Sequence, residues 1–587
     1  MNTHWDLSVL YKGFDDPAIP ADMAKVRERL SACEQLLARE GDDLPVLEGL
    51  VAGVNEMLLL FYSIYGYAQL VLSCDTTHPE AMALRERMMQ MSLEVHPCLS
   101  AMTRRVAAAG DLEELISSSA LLTEHAYILR EMKRAALHLL PPELEIPVLR
   151  MQLTGGEAFS QLREQMESSI IVRLTLDGEE RELPLPAARG LAYSPDPAVR
   201  KAAYVAELAA YPQAEIAVAA CLNAIKGEAL TLCKLQQYES VLDKTLTESR
   251  MDRETLEAML DAIREFLPDF RRYLKAKAKY LGHENGLPFW ELFAPVGEAG
   301  RVYTLEEARD TLVTVMGKFS PEMGTFVAGA FDNAWIDPLP KPGKVGGAFC
   351  ASLPAQKESR ILSNFDGSHS AVSTLAHELG HAYHNYQVRD VTMLNLNTPA
   401  CLAETASIFN ETFFSHAILE TASPEETLVY LESELMEQCQ VIVDIYSRYL
   451  FETRVIEQRE DRTMAAEELC EMMLQAQLDS YGDGLDTSAL HPYMWLCKSH
   501  YYSTGLHFYN FPYAFGLLFG KGVFARYLRG KEDFVPEYNR LLASTGLDSV
   551  AGVATRLGID VREKAFWRSA LSGIKANIDR FIALTEG

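Results

Sequence analysis

Apolar positions recur with the period of an α-helix along most of this chain. The clearest run steps by four and three residues through six apolar positions: Leu256, Leu260, Ile263, Leu267, Phe270 and Leu274. Such spacing lays one apolar stripe along about five helical turns. Pro268 lies inside the stripe and predicts a kink or a break near Leu267. Ser423-Pro-Glu-Glu predicts a capping box at the start of another helix.

Patterns typical of strands are confined to two short regions. Residues 168–186 alternate around Asp177-Gly178, which predicts a hairpin with a tight turn. Residues 346–366 carry the second strand pattern, and they follow a segment rich in proline and glycine, residues 337–345. The sequence therefore predicts a mainly α protein with little sheet.

The proline- and glycine-rich segment is the best candidate for a domain boundary. It divides the chain into a helical N-terminal part, residues 1–340, and a second part, residues 341–587, which carries the chemistry described below. The alternative, in which both parts form one continuous structural unit, stays open.

Charge and cysteine usage exclude some classes of protein. The 54 Lys and Arg residues against 82 Asp and Glu give a net charge of −28, which argues against nucleic-acid binding. Ten cysteines, none closer than twelve positions to the next, form no CxxC pair and are expected to be reduced thiols. The first residues contain no basic segment followed by an apolar run, so we expect a cytoplasmic protein.

Residues 499–520 contain no Asp, Glu, Lys or Arg, and a run of this length could span a membrane. They do contain two histidines and four tyrosines. This polarity favours the wall of a buried, partly polar cavity, and no membrane partner is expected.

The main chemical motif is His377-Glu378-Leu379-Gly380-His381, an HExxH on a helix opened by Ser368 or Ser370. Four positions bring His381 to within about 40° of His377 on the helix surface, so both imidazoles can reach one ion. Glu378 is rotated by about 100° from His377, where it can hold a water without binding the metal.

A catalytic zinc usually takes three protein ligands. The extension HExxHxxGxxH is absent, because residue 384 is His and residue 387 is Gln. Glu404, in the apolar segment Cys401-Leu-Ala-Glu-Thr-Ala, is the best third ligand, since burying a lone carboxylate is unfavourable. The alternative is a partly exposed helix residue. We therefore predict one Zn²⁺ held by His377, His381 and Glu404.

Other residues near the motif are expected to support it. His384 and Glu411 are candidates for orienting a ligand, although ordinary core or surface roles fit them equally well. Gly347, Ala348 and Phe349 are expected to form an exposed strand edge that binds extended peptide, the alternative being a turn into a buried strand. Gly380 is expected to pack closely against this strand.

Three segments together resemble the oligoendopeptidase F branch of the thimet oligopeptidase family: His377-Glu-Leu-Gly-His-Ala-Tyr-His, Leu402-Ala-Glu-Thr-Ala-Ser-Ile-Phe-Asn-Glu and Phe508-Tyr-Asn-Phe-Pro-Tyr-Ala-Phe-Gly. The motif resemblance covers about residues 346–520. It implies a large helical, two-lobed oligopeptidase fold with a deep central channel, one zinc ion on its floor and a small β segment near the active site.

The resemblance also implies roles in the uncharged segment. Tyr509 and Tyr513 match the tyrosine pair of the family, and His500 matches a histidine that contacts substrate, with His507 as its competitor. The charge that develops on the substrate oxygen needs a donor besides the metal, and His500, Tyr509 and Tyr513 are the candidates.

These observations predict a zinc-dependent oligoendopeptidase that cuts internal bonds of short unstructured peptides with a metal-activated water and Glu378 as general base. One alternative is a helical metallocarboxypeptidase, which needs a cationic pocket for the terminal carboxylate, and residues 499–520 offer no Arg or Lys. The other is a peptide-binding relative without activity.

Overall fold

The computed structural model describes residues 3–176, 178–297, 301–530 and 533–586. Helices make up most of these residues, and the described strands form one hairpin and one sheet of three strands. The mainly α fold class predicted from the sequence is confirmed.

Helices and strands are numbered here in chain order. The helices of the first 300 residues are α1 (Ala18–Leu37), α2 (Asp43–Cys74), α3 (Pro79–Ala108), α4 (Leu112–Ser117), α5 (Ala120–Glu124), α6 (Ala126–Ala135), α7 (Pro142–Thr154), α8 (Gly156–Ser169), α9 (Leu185–Gly190), α10 (Pro197–Ala210), α11 (Glu215–Leu235), α12 (Val241–Glu248) and α13 (Arg253–Tyr280). The later helices are α14 (Leu305–Phe319), α15 (Pro321–Asp332), α16 (His369–Gln387), α17 (Ala400–Ala403), α18 (Thr405–Leu419), α19 (Pro424–Cys439), α20 (Ile445–Asp461), α21 (Ala466–Tyr481), α22 (Met494–Cys497), α23 (Phe511–Arg529), α24 (Phe534–Leu542), α25 (Val550–Thr555) and α26 (Lys564–Glu586). The strands are β1 (Ile171–Leu176), β2 (Glu179–Pro184), β3 (Ile336–Asp337), β4 (Phe349–Leu353) and β5 (Glu358–Leu362).

The chain forms two compact units, each built from three chain segments. Unit 1 comprises residues 1–139, 301–418 and 526–559, and unit 2 comprises residues 140–300, 419–525 and 560–587. The predicted boundary at residue 340 falls inside a continuous segment of unit 1, so the division into 1–340 and 341–587 does not describe the units.

The connector around residue 340 is a turn held by hydrogen bonds within unit 1. The buried amine of Lys344 donates to Asp337 Oδ1 at 2.7 Å and to the carbonyl oxygens of Leu339 and Ser363 at 2.8 and 2.6 Å. Proline and glycine serve here to shape a bonded turn inside one unit.

Unit 1 combines a helical core with the three-stranded sheet. Helices α1, α2 and α3 pack together through a shared apolar core that includes Val46, Leu50 and Met88. In the sheet, β5 lies in the middle, parallel to β3 and antiparallel to β4. Helix α16 packs against β4 and β5. Within the described residues β4 is an edge strand, as the sequence predicted for this region.

Unit 2 contains the predicted hairpin and the long amphipathic helix. Strands β1 and β2 pair antiparallel from Ile171 opposite Pro184 to Leu176 opposite Glu179, and Gly178 in the turn has φ +80°. Asp177 lies outside the described residues. The apolar stripe predicted for residues 256–274 is buried on α13, which packs against α26.

Two further predictions concern helix ends and breaks in unit 2. The capping box is confirmed, since Glu426 N donates to Ser423 Oγ at 3.2 Å and Ser423 N to Glu426 Oε2 at 3.0 Å. Of the kink or break predicted near Leu267, the break is wrong, because α13 continues through Pro268. Leu267 and Phe270, buried on either side of the proline, hold the helix in place.

Two of the described helices, α2 and α11, are long and apolar enough to cross a membrane by length and composition alone. Core helices of soluble proteins pass the same criteria, so this is weak evidence of a span. The sequence reasoning considered only residues 499–520, which form a short 3₁₀ turn at Ser499–Tyr502 and, after a loop, the start of α23.

Candidate metal centre and a histidine–tyrosine group

The HExxH motif lies on α16, in unit 1. Ser368 caps the helix, because its Oγ accepts a hydrogen bond from Ala371 N at 3.1 Å. His377 and His381 then project one turn apart on the same face, with ring centroids 4.9 Å apart and ring planes at 78°. The prediction that both imidazoles share one face is confirmed.

Glu404 meets both imidazoles from the junction between α17 and α18. Its Oε2 lies 3.2 Å from His377 Nε2 and 3.3 Å from His381 Nε2. Ser407 Oγ donates to the same carboxylate oxygen at 2.7 Å and fixes its position. One ligand atom from each of the three residues lies within 4.8 Å of the others. We call His377, His381 and Glu404 the metal centre.

Gly380 explains how α18 comes so close to α16. A Cβ atom at this position would lie 2.5 Å from Ala406 O and 2.6 Å from Ser407 Cα. The close packing predicted for Gly380 is present, but the predicted partner is wrong, since the neighbour is the backbone of α18 and not the strand around residues 346–353. The missing side chain therefore brings Glu404 within reach of the two histidines.

The charges around the metal centre call for a cation. Glu411 Oε2 lies 3.1 Å from His377 Nδ1, where the sequence placed a hydrogen-bond acceptor for a ligand. Burial lowers the pKa of His377, but hydrogen bonds to Glu404 and Glu411 outweigh it and raise that pKa to about 10. For Glu404, burial acts to raise its pKa, and the two imidazoles hold it well below its usual range. Two imidazoles and a carboxylate are ligands that Zn²⁺ takes in proteins, so this donor set fits a zinc ion.

Glu378 lies beside the metal centre with a free oxygen. The side chain is buried, and its Oε2 has no hydrogen-bond partner among the described residues. Burial raises the pKa of Glu378, although the neighbouring His377 and His381 act to lower it. A buried carboxylate with an unused acceptor and a raised pKa is well suited to accept a proton.

His384 has a structural place in unit 1. It is buried, and its Nε2 lies 2.8 Å from Thr545 Oγ1. Burial lowers the pKa of His384 to about 4, so the ring is neutral at pH 7. His384 also bonds to the backbone of Ala403, the residue before Glu404, so the core role and the predicted role in orienting a ligand both stay open.

The predicted peptide-binding edge is exposed only in part. Gly346 and Gly347 are exposed, a Cβ atom at either position would meet nothing within 4 Å, and the φ of Gly347 is +77°. Asn364 Nδ2 already donates to the carbonyl oxygen of Gly347 at 2.9 Å. Ala348 is half-buried, and the ring of Phe349 packs against Trp5 with centroids 6.3 Å apart. The side chain of Phe349 is thus engaged in packing, and it is the backbone of β4 that remains at the edge.

A cavity of about 660 Å³ adjoins His381 in unit 1 and was not predicted from the sequence. Apolar and aromatic side chains of α2, among them Leu58, Tyr62 and Tyr65, form part of its lining together with Val388 and other residues that follow α16. Its lining residues come from distant parts of the chain, so no local pattern could have revealed it.

Unit 2 brings His500, Tyr509 and Tyr513 together, as the sequence suggested. His500 Nε2 lies 3.5 Å from the hydroxyl oxygen of Tyr513, and the Tyr509 and Tyr513 rings meet edge to face at 5.4 Å. The rings of His500 and Tyr509 are stacked with centroids 6.1 Å apart. Burial and the charges of Arg448 and Lys498 lower the pKa of His500.

His507 does not share this environment. It is buried, its Nδ1 lies 3.3 Å from Lys226 Nζ, and its carbonyl oxygen accepts a hydrogen bond from Thr245 Oγ1 at 3.0 Å. Its burial and its existing contacts leave His507 less available to a peptide than His500. The contact of His507 with substrate stays a prediction, and His500 is the better candidate of the two.

The sequence reasoning missed the residues that anchor the Tyr509 segment. Glu452 Oε1 accepts from Lys226 Nζ at 2.7 Å and from Phe508 N at 3.1 Å, while Glu452 Oε2 accepts from Asn510 Nδ2 at 2.9 Å. Phe508 is held at φ +52°, an unusual backbone conformation for this residue. The available signal was Lys226, the one Lys or Arg in the mostly apolar run 218–230, which also contains Asn223 and Glu228.

The helical fold and the metal centre on α16 together define the class of protein, which is a helical peptidase built around an HExxH helix. The model of peptidase family M3 matches residues 190–573, more than half of the chain, and the chain belongs to this family. Its relatives place it in the oligoendopeptidase F branch.

Among curated proteins, the chain is similar to an oligoendopeptidase F homolog of Mycoplasma pneumoniae, with 26% identity over 67% of the chain and 66% of that protein. It is also similar to the plasmid oligoendopeptidase F of Lactococcus lactis subsp. cremoris, with 22% identity over 99% of the chain and 97% of that protein.

Solved structures show the same fold. A putative peptidase from Chlamydophila abortus matches with a TM-score of 0.85 and 22% identity, covering 99% of this chain and 98% of that one. The oligoendopeptidase F of Enterococcus faecium matches with a TM-score of 0.71 and 18% identity, covering 97% of this chain and 98% of that one.

Proposed function

We propose that this chain is a cytoplasmic, zinc-dependent oligoendopeptidase that hydrolyses internal bonds of short unstructured peptides. The observation that carries the proposal is the convergence of His377, His381 and Glu404 next to Glu378, whose Oε2 has no hydrogen-bond partner in the part of the chain that the structure describes. Membership of peptidase family M3 supports peptide substrates, and the names of the relatives support cleavage within short peptides.

His377, His381 and Glu404 would hold the zinc ion. When bound, zinc acts as a Lewis acid that polarises a carbonyl group and lowers the pKa of water. Ser407 and Glu411 orient the ligands, Ser407 through the Glu404 carboxylate and Glu411 through His377 Nδ1. A bond to Nδ1 leaves Nε2 of His377 directed at the other ligand atoms.

Glu378 would move the proton. Its unpartnered Oε2 accepts the proton from the attacking water, and the protonated carboxyl then delivers it to the leaving amine. The raised pKa of this buried carboxyl suits both steps, because it brings the accepting and donating forms closer in free energy at neutral pH.

Two features of unit 1 suit a peptide substrate. The edge of β4 offers backbone hydrogen-bonding groups to an extended chain, which would bind without regard to its sequence. The 660 Å³ cavity beside His381 is lined largely by apolar side chains and would take a bulky apolar side chain of the peptide. His500, Tyr509 and Tyr513 stay predicted donors to the charged substrate oxygen.

The variant Glu378→Gln tests the proposal. We expect the purified variant to keep its zinc while peptide turnover falls by about 10²–10⁴-fold, because the amide cannot accept the proton. Zinc is measured by metal analysis and turnover with a fluorogenic peptide. The matched control is Glu124→Gln, an exposed residue of unit 1, which should change neither quantity. Undiminished turnover in Glu378→Gln would reject the mechanism.

Two simple measurements address the alternatives and the location. A peptide with an amidated C-terminus is still cut by an endopeptidase but not by a carboxypeptidase, and wild-type protein without any turnover would indicate an inactive peptide-binding relative. Fractionation of cells of the native source should recover the protein with the soluble cytoplasmic contents; recovery with membranes would contradict that location.

A further inference from the structure

Unit 2 contains a cavity of about 280 Å³ whose lining is unusually rich in charge. It is bounded by α9 and α10, by residues 289–293 and by the segment that leads to His500. Its ionisable lining residues are Arg189, Arg200, Glu207, His491 and Lys498. We call it the cationic cavity, and neither the family match nor the site described above assigns it a role.

Most of these charges already have partners. Arg200 donates to Glu291 Oε2 from Nε at 2.8 Å and from Nη2 at 2.5 Å, so this buried pair is balanced. Glu207 Oε1 lies 3.2 Å from His491 Nε2 and 3.4 Å from Arg189 Nη1. A single carboxylate thus serves two basic residues, and Arg189 has the longer of the two contacts. Arg189 Nη1 also donates to the hydroxyl oxygen of Tyr211 at 3.4 Å, and its guanidinium bonds the Cys497 thiol, but neither of these groups is a carboxylate.

Lys498 is the exception. Its amine makes no hydrogen bond and no ion pair with any part of the chain that the structure describes. The nearest carboxylate that influences it is Asp444, which is engaged by Arg448 through Nε at 2.8 Å and Nη2 at 2.5 Å. Burial lowers the pKa of Lys498, and the nearby positive charge of Arg448 adds to this effect.

The cationic cavity therefore has one positive charge that no carboxylate of the described residues balances. Arg189 and Lys498 face it with only the shared Glu207 between them, whereas the Arg200–Glu291 and Arg448–Asp444 pairs cancel. An unpaired ammonium in a half-enclosed cavity is unfavourable, and a bound anion relieves it. One negative charge completes the balance, which suits a carboxylate better than a phosphate group with up to two charges.

The rest of the lining indicates what the carboxylate is attached to. The rings of Tyr193 and Phe293 pack with centroids 4.9 Å apart, and Trp290 lies against Tyr204 at 5.1 Å. Such walls receive an apolar side chain. A volume of 280 Å³ is at or below the small end of ligand sites, large enough for one amino-acid residue but too small for a nucleotide.

We propose that the cationic cavity binds the free α-carboxylate of an apolar amino acid or of the C-terminal residue of a short peptide. Lys498 and Arg189 contact the carboxylate, and the aromatic walls around Trp290 enclose the side chain. The sequence argument against a carboxylate site rested on residues 499–520, and the cavity draws its cations from positions 189 and 498, outside that segment.

The test is a calorimetric titration of the zinc-loaded protein with N-acetyl-L-leucine and with its neutral amide, N-acetyl-L-leucinamide. We expect the carboxylate to bind at least tenfold more tightly than the amide. Lys498→Met should weaken binding of the carboxylate at least tenfold, because it removes the unpaired charge while keeping the volume. The matched control is Lys201→Met, an exposed lysine 5.3 Å from the Trp290 ring but outside the cavity, for which we expect less than a twofold change.

Lys498→Met should fold, since it removes an amine without a partner, and an unchanged or higher midpoint of thermal unfolding checks this. Equal binding of carboxylate and amide by wild-type protein overturns the proposal without any variant. Undiminished binding of N-acetyl-L-leucine by folded Lys498→Met overturns it as well, including the case in which the carboxylate binds at the metal centre.

A second pair of measurements identifies the source of the carboxylate. If it is the C-terminus of a peptide substrate, amidating that terminus should raise KM at least fivefold in wild-type protein and change it less than twofold in Lys498→Met. If it is a free amino acid, KM stays constant while N-acetyl-L-leucine still binds. Binding that depends on Lys498 in a protein without peptidase activity would reject the proposed function and leave this inference standing.

Discussion

Two clusters of ionisable side chains, one in each unit, have opposite imbalances of charge. In unit 1, the metal centre and Glu411 surround two imidazoles with carboxylates, so the cluster favours an added cation. In unit 2, the cationic cavity surrounds one carboxylate with basic groups and leaves Lys498 unpaired, so it favours an added anion. Both sites therefore share one property: part of their charge is not balanced by the protein itself.

The two clusters also differ in how they are held. The metal centre rests on two helices whose backbones touch at Gly380, and each ligand has a second bond or a packed neighbour that fixes it. Lys498 follows α22 directly, and its amine has no such support. A fixed geometry suits an ion with definite ligand directions, whereas a single ammonium without fixed partners is sufficient for a carboxylate.

Removing Glu404 should most completely abolish the difference in charge between the two clusters. In Glu404→Ala the two imidazoles lose the carboxylate whose Oε2 lies within 3.3 Å of both Nε2 atoms. We expect zinc affinity to fall by more than about 100-fold, beyond the range for loss of an outer partner. Competition with a chromogenic chelator measures the affinity. Full zinc occupancy of the variant under that competition would exclude Glu404 as a ligand.

Glu411→Gln should weaken the centre less, because Glu411 touches a ligand and not the ion. It removes the charge 3.1 Å from His377 Nδ1 and keeps the shape. We expect zinc affinity to fall by about 10–100-fold in the same chelator competition, with turnover recovered when zinc is added in excess. The control is again Glu124→Gln. A variant that binds zinc as tightly as wild-type protein would show that Glu411 is only a neighbour.

His384, unlike the two clusters, is a buried ionisable group that carries no unbalanced charge. Its pKa in the folded protein is about 4, below the ordinary value of 6.5, so the unfolded chain gains a proton first as pH falls. The stabilisation is complete above pH 6.5 and is lost as the pH approaches 4. At pH 5 the folded state should have lost about 2 kcal/mol from this residue alone.

Urea unfolding of zinc-loaded protein at pH 7.5 and pH 5.0 measures this contribution. His384→Gln should show a loss of stability between the two pH values that is smaller than that of wild-type protein by about 2 kcal/mol. His96→Gln, at an exposed position, is the matched control and should behave like wild-type protein. Equal losses in all three proteins would mean that His384 is not kept neutral by burial.

Local patterns predicted much of unit 1. The helix from Ser368, the shared face of His377 and His381, and the edge strand after residue 346 follow from spacing and capping within a few residues. Glu404 could be proposed because a carboxylate in an apolar helix needs a partner, and Glu411 because it follows Glu404 by seven residues on the same helix face. The partner of Gly380 could not, because periodicity does not tell which backbone a helix meets.

Features of the structure that depend on segments distant in the chain were predicted incorrectly or not predicted at all. His507 looked equivalent to His500 in the sequence, yet Lys226 and Thr245 enclose it. The connector near residue 340 looked like a linker, yet Lys344 binds it to the sheet. The cationic cavity is assembled from separate chain segments, so its unpaired lysine becomes visible only when the fold shows which carboxylates are already in use.

The contact at Gly380 has a consequence for how this protein can vary. The carbonyl of Ala406 and the Cα of Ser407 occupy the space that a side chain at position 380 would need, so only glycine fits there. Because these atoms belong to the main chain, no substitution of a neighbouring residue can make room. Homologues that carry any other residue there must have moved the following helix, and with it the glutamate. The identity of one residue, which itself binds nothing, can therefore sort related sequences into those that keep this arrangement and those that have abandoned it.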